Sequence, residues 1–236
     1  MISQDQILTG LIKIFNEKNI ISISGASGTG KTTFTLQLIS DFLTRINIHR
    51  GSCIWVQACE LFPINRLKSM FKVSSEEYEF LSQKIFTIPK NRICGSYIEQ
   101  ETIIQNITQG YSTLPPDLKV IVIDNISRHL RYEILKIQEI DKVIDTQNCF
   151  FDTLLFPLVM FCEREQINLI LIHEISYNPD SNKNNAFFHK LYDRIDCMNI
   201  FLEKNLFTDE STMNISFNDF HHTIKYSLKD KGFIWK

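Results

Sequence analysis

The chain has 236 residues, 44% hydrophobic and 22% charged, with only 8 Gly and 6 Pro, a composition that excludes a long disordered or low-complexity protein. A formal net charge of −2 excludes a dedicated basic nucleic-acid module, so any nucleic-acid contact has to come from a local patch. No apolar run approaches the about 20 residues of a membrane-spanning helix, and the opening MISQDQILTG carries no secretion signal, so a cytoplasmic protein without membrane contact is expected.

In chain order, the first apolar run predicts a strand over Ile20–Ser24, and GASGTGKTT follows it at residues 25–33. The pattern G-x-x-x-x-G-K-[ST] is met by Gly25, Gly30, Lys31 and Thr32, at the strand-to-helix junction where its mechanism operates. Glycines let the backbone wrap a phosphate with its amides inward. The next helix, predicted over Lys31–Ile46, adds the positive end of its dipole. Lys31 is expected to reach the terminal phosphates and the Thr32 hydroxyl to bind Mg²⁺, with Ser27, Gly28, Thr29 and Thr33 completing the cradle. The expected ligand is ATP with Mg²⁺, although no base-specific motif separates ATP from GTP.

Further strands are predicted over Cys53–Ala58, Lys84–Ile88, Lys119–Asp124 and Leu169–His173. Helical patterns cover Ile64–Phe71, Ser74–Leu81, Tyr97–Gln109 and Phe150–Gln166. In the first helix Phe34, Leu38 and Phe42 share a face, as i, i+4 spacing requires. Continuous apolar strands alternating with helices imply an α/β fold, a mostly parallel sheet covered on both sides. The strand in LKVIVIDNIS ends in an acid, and Asp124 is placed to hold the Mg²⁺ shell. SYNPDSNKNNAFFHK, residues 176–190, reads as a mobile polar loop. Beyond it, RIDCMNIFLEK, TMNISFNDF and HTIKYSLKDKGFIW alternate apolar with polar and predict antiparallel strands at one sheet edge. The six cysteines form no CxxC pair and have no His at ligand spacing, which predicts reduced, mostly buried thiols.

The ordered series of the phosphate loop, IWVQACELFPINRLKSM, VIVIDNISRHLRYEI and LILIHEIS, followed by hairpins, resembles the RecA/RadA recombinase ATPase core. Within that family it is similar to the short archaeal RadB-like paralogues. The resemblance runs from about residue 15 to the end and implies one P-loop NTPase domain of RecA type over residues 1–236, without an N-terminal helix-hairpin-helix domain. It implies that Glu60 stands where the family's catalytic glutamate polarises water, with Cys59 as the competing register. Arg66 then borders the nucleotide base.

In the family, the strand after the acid-ended one lies beside the phosphate-loop strand and ends in a Gln that senses phosphate. His173 and Glu174 stand there instead. An amide can donate to phosphate, whereas a carboxylate only accepts and repels it. Three outcomes follow: Glu174 is protonated, or it turns away and His173 senses, or coupling to the terminal phosphate is lost. The last predicts a nucleotide holder with slow or absent hydrolysis.

The resemblance also implies two DNA-binding loops, one around Arg128, His129, Arg131 and Lys136, the other carrying Lys183, His189, Lys190 and Arg194. IFNEKNI replaces the usual Gly-Gly turn ahead of the first strand, and no phenylalanine-containing polymerisation segment is visible. These departures imply an accessory factor in homologous recombination and DNA repair that meets single-stranded DNA and a main recombinase or another recombination protein, in a homo- or hetero-oligomer. Such a protein is nucleoid-associated if it binds DNA. A KaiC-like signalling ATPase shares the Mg²⁺ and phosphate residues and stays open as an alternative. A nucleoside or nucleotide kinase ranks behind, because no Arg-rich lid segment is present.

Overall fold

The computed structural model describes residues 10, 19–45, 51–71, 75–178, 182–204 and 210–236. The readings of IFNEKNI and of the segment before it lie outside the described residues, Asn19 and Ile20 apart. The strands are β1 (Ile20–Gly25), β2 (Ser52–Gln57), β3 (Ile85–Ile88), β4 (Leu118–Asp124), β5 (Asn168–His173), β6 (Ile175–Asn178), β7 (Lys183–Ala186), β8 (Met198–Lys204), β9 (Ser211–Phe217), β10 (Phe220–Lys229) and β11 (Gly232–Trp235). The helices are α1 (Lys31–Arg45), α2 (Ile64–Met70), α3 (Glu76–Lys84), α4 (Tyr97–Thr108), α5 (Arg128–Leu135), α6 (Ile140–Phe150), α7 (Phe156–Arg164) and α8 (His189–Tyr192). A π-helical turn over Phe151–Leu155 joins α6 to α7.

Nine strands form one sheet in the order β11-β10-β9-β8-β1-β5-β4-β2-β3, and β6 with β7 makes a separate hairpin. From β8 to β3 all neighbours are parallel, as the apolar strands alternating with helices required. The antiparallel edge begins one strand later than expected. β8 pairs parallel with β1, and the antiparallel pairs of this sheet are β8–β9, β9–β10 and β10–β11. β5 lies between β1 and β4, with Ser24 opposite His173 and Asp124 opposite Ile172. The carboxyl ends of these strands therefore share one edge, the place where open α/β sheets bind ligands.

Strand parity assigns the faces, because successive side chains point to opposite sides. Ile21, Ile23, Val120, Val122, Ile170 and Ile172 pack into one core with Phe34, Leu38 and Phe42 of α1. Ile20, Ile121, Ile123, Leu169 and Leu171 pack into the other, with Leu158 and Cys162 of α7. By the same parity Asp124 faces the side covered by α1, and His173 faces the opposite side.

Three sequence expectations are corrected. The segment after β4 is a helix, α5, and the Asn125 side chain accepts from its first amide, that of Arg128, at 2.8 Å. The helical run ending at Arg164 starts at Ile140, ten residues earlier than predicted; Ile140 and Ile144 are exposed, so this half lacks a buried apolar stripe. Within residues 176–190 the structure places a hairpin and α8 in place of a loop, while residues 179–181 lie outside the described set. None of the six cysteines is in a disulfide, and Cys149 alone among them is exposed. Among the described residues no helix is long and apolar enough to cross a membrane.

Candidate functional site

At the carboxyl edge of β1, β5 and β4 lies a cleft of about 520 Å³. Its walls are the loop from Gly25 to Gly30, the start of α1, Cys59 and Glu60 after β2, Asp124, and Arg128, Arg131 and Glu174. Gly28 and Gly30 have φ of 78° and 96°, values only glycine adopts without strain. A Cβ at Gly25 would stand 2.6 Å from the Leu202 carbonyl oxygen, so that position needs glycine for space. Within the loop the Thr29 hydroxyl donates to the Ala26 carbonyl at 2.9 Å. Amides of Gly28, Gly30, Lys31 and Thr32 have no hydrogen-bond partner among the described residues, which leaves them for a ligand.

Lys31 donates to the carbonyls of Gly25 at 2.8 Å and Ala26 at 3.1 Å. Burial pushes its pKa below the ordinary value, against the opposing pull of Asp124, Glu174 and Glu60. The Thr32 hydroxyl donates to Asp124 Oδ2 at 3.2 Å, joining residues 92 positions apart. Asp124 is 6% exposed. Burial lifts its pKa to about 6, the Thr32 hydrogen bond lowers it, Glu60 raises it further, and Lys31 lowers it. A desolvated carboxylate beside a hydroxyl, with free amides and a lysine nearby, suits a divalent cation on a polyphosphate. Among the described residues no three acidic, His or Cys side chains cluster into a ready-made metal cage. A cation held here would take Thr32, Asp124, phosphate oxygens and water, the pattern of Mg²⁺ rather than of a structural metal.

The remaining expected residues divide. Ser27, Gly28, Gly30, Thr32 and Thr33 line the cleft; the Thr29 side chain instead holds the loop. Both registers of the acidic position reach the wall, but Cys59 is buried, its thiol pushed up to about 12 by burial, whereas Glu60 is exposed. Arg66 lies just outside, donating to Thr33 Oγ1 at 3.1 Å and to the Lys229 carbonyl at 2.7 Å. It lines an adjoining hollow with Leu228, Lys229, Asp230, Lys231 and Ile234.

His173 is corrected as a sensor. It is fully buried under Tyr192, ring centroids 4.2 Å apart, on the face away from α1. Neither ring nitrogen has a hydrogen-bond partner among the described residues, and burial drops its pKa to about 3, with Lys31 lowering it further. Glu174 stays in the cleft, its Oε2 3.0 Å from Arg131 Nη1.

The two basic segments also part. Arg128 and Arg131 lie on α5 and line the cleft, not a free loop. His129 reaches the Ala58 carbonyl at 2.8 Å, and Lys136 pairs with Glu133 at 2.7 Å. Arg194 sits 3.5 Å above the Phe151 ring and 3.7 Å from Asp152. Lys183 is on β7 and the exposed Lys190 on α8.

One support was missed from sequence. Tyr226, fully buried on β10, donates to the Thr29 carbonyl at 2.7 Å. It stacks on Phe233 at 4.3 Å, and Phe233 packs on Phe34 of α1 at 5.3 Å. The antiparallel edge thus curls over α1 and braces the phosphate loop from behind. Aromatic residues near the chain end were the only signal, and they name no contact 197 residues away.

No protein-family profile matches the chain. It is 26% identical over 200 residues to the DNA repair protein RAD57 of Saccharomyces cerevisiae, a match covering 81% of this chain and 40% of that protein. The chain therefore spans less than half the length of that relative. The crystal structure of the RadB recombinase superposes with a TM-score of 0.68 at 16% identity, over 91% of this chain and 89% of the other.

Proposed function

We propose that this chain, whose fold is the RecA-type core seen in the RadB recombinase, is an ATP-binding accessory factor of homologous recombination and DNA repair. The observation that carries the nucleotide part is the Thr32–Asp124 contact beside a loop whose amides have no partner among the described residues, with Lys31 lining the same cleft. Lys31 would hold the terminal phosphates, Thr32 and Asp124 the Mg²⁺, and Glu60 a water molecule. When bound, Mg·ATP supplies the phosphoryl group and the charge that these residues neutralise. Support for the recombination part comes from the likeness to RAD57 and to the RadB recombinase.

Hydrolysis is slow or absent in this reading. Its reason is the strand end: His173 is sealed in the far core, and Glu174 offers a carboxylate where a donor would assist. Single-stranded DNA contact is assigned to Lys183 and Lys190, since Arg128 and Arg131 face the cleft. The partner is a main recombinase or another recombination protein.

The test is calorimetric titration of Mg·ATP into the wild-type chain and Lys31→Ala. Loss of binding in the variant is the expected result; equal affinity in both would refute the site. Turnover measured with and without single-stranded DNA, alongside retention over a salt series, tests the rest. A salt-independent failure to retain DNA would remove the nucleic-acid part.

A further inference from the structure

Among the described residues the cleft holds one direct ion pair, Arg131 Nη1 to Glu174 Oε2 at 3.0 Å, and both side chains are part-exposed toward the space a nucleotide would fill. Each partner is mounted from behind. Arg131 sits on α5, whose first amide is held by the Asn125 side chain, and its guanidinium lies 5.0 Å over the Phe187 ring. The Glu174 amide donates to Ser127 Oγ at 3.3 Å, and its carbonyl accepts from the Phe187 amide at 2.8 Å. Neither backbone has to move for the pair to open; only two side-chain ends do. A part-exposed pair of this kind is weak and exchanges its anion readily. A guanidinium binds phosphate oxygens as well as it binds a carboxylate, by the same planar fork.

Resting on the nucleotide reading above, we propose that Arg131 and Glu174 set the choice between a nucleoside triphosphate and a diphosphate. Arg131 is the cation for the outermost phosphate, and Glu174 is a built-in competitor that holds it. To meet a triphosphate, Arg131 leaves Glu174, and the carboxylate is left facing the phosphate without its partner. To meet a diphosphate, the pair stays closed. The chain therefore binds triphosphate and diphosphate with similar affinity, in spite of the extra charge and contacts the triphosphate offers. Arg128, the other guanidinium of this wall, has no acidic partner of its own at ion-pair distance among the described residues, so the competition falls on Arg131 alone.

The experiment is calorimetric titration of the full chain with Mg·ADP and with the slowly hydrolysed Mg·ATPγS. Wild type, Glu174→Gln, Arg131→Gln and the double variant are compared, with thermal melts confirming that each is folded. Glu174→Gln frees Arg131 and removes the competing charge, so triphosphate affinity should rise about tenfold while diphosphate affinity moves less than about threefold. Arg131→Gln leaves the carboxylate uncompensated and should weaken triphosphate about tenfold, again sparing diphosphate. The double variant should fall between the two. Equal shifts for both nucleotides, or none, with binding intact, would overturn the proposal and leave the nucleotide site standing. Failure of wild type to bind either ligand would overturn both.

Discussion

Asp124 illustrates a conflict between stability and function that can be measured. Its carboxylate is buried and, among the described residues, stands without a cation at hydrogen-bond distance; the Thr32 hydroxyl is its side-chain donor. Burial first, then the charge of Glu60, lift its pKa from the ordinary 3.8 to about 6, over the opposition of Thr32 and Lys31. A raised carboxylate costs nothing below the unfolded pKa, where it is protonated in both states. Its cost grows as pH rises from about 4 to about 6 and is complete above that. At about 1.4 kcal/mol per pH unit, the penalty at pH 8 is on the order of 3 kcal/mol. Asp124→Asn removes the charge and keeps an oxygen to accept from Thr32. The ligand-free variant should therefore be more stable than wild type by about 2–3 kcal/mol at pH 8, and equal to it near pH 3.5. Urea denaturation followed by the fluorescence of Trp55 and Trp235 at both pH values reads the gap. Titrating groups remote from Asp124 are common to both chains and cancel in the difference. The same variant should lose the Mg²⁺ dependence of nucleotide binding. A variant less stable than wild type at pH 8, or a gap that does not change with pH, would refute the reasoning.

Two further perturbations separate the core from the cleft. His173→Leu removes a buried ring whose nitrogens have no partner among the described residues, and should stabilise the chain by about 1–2 kcal/mol at pH 7.5. Because folding holds the pKa of His173 near 3, below its ordinary 6.5, wild type loses stability as pH falls through that window, and the variant's advantage should widen on acidification. Its ATP affinity should be unchanged; a tenfold loss in calorimetry would restore His173 as a sensor. Tyr226→Phe takes away the hydroxyl that holds the Thr29 carbonyl at 2.7 Å and should cost about 1–2 kcal/mol in denaturation. Nucleotide affinity should fall with it, since the loop loses its brace; full affinity in a destabilised variant would show that the loop holds its shape unaided.

The phosphate loop, the five parallel strands around it and the acid at the end of β4 were legible because each rests on local chemistry. Glycines at a strand-helix junction and unbroken β-branched runs admit few other structures. Parity puts residues 120, 122 and 124 on the face that α1 covers, which is why Asp124 meets Thr32. What local pattern left undecided were α5, the first half of the run from α6 to α7, and the hairpin β6–β7. Their apolar residues are partly exposed, so no buried stripe announces them. Basic residues posed a similar difficulty: Arg131, expected on a DNA-binding loop, lies on α5, which turns it toward Glu174. The tertiary structure alone decided that His173 faces the wrong core and that Tyr226 holds the loop. Both depend on which strands become neighbours, and in this sheet strand order is set by packing between segments far apart in the chain.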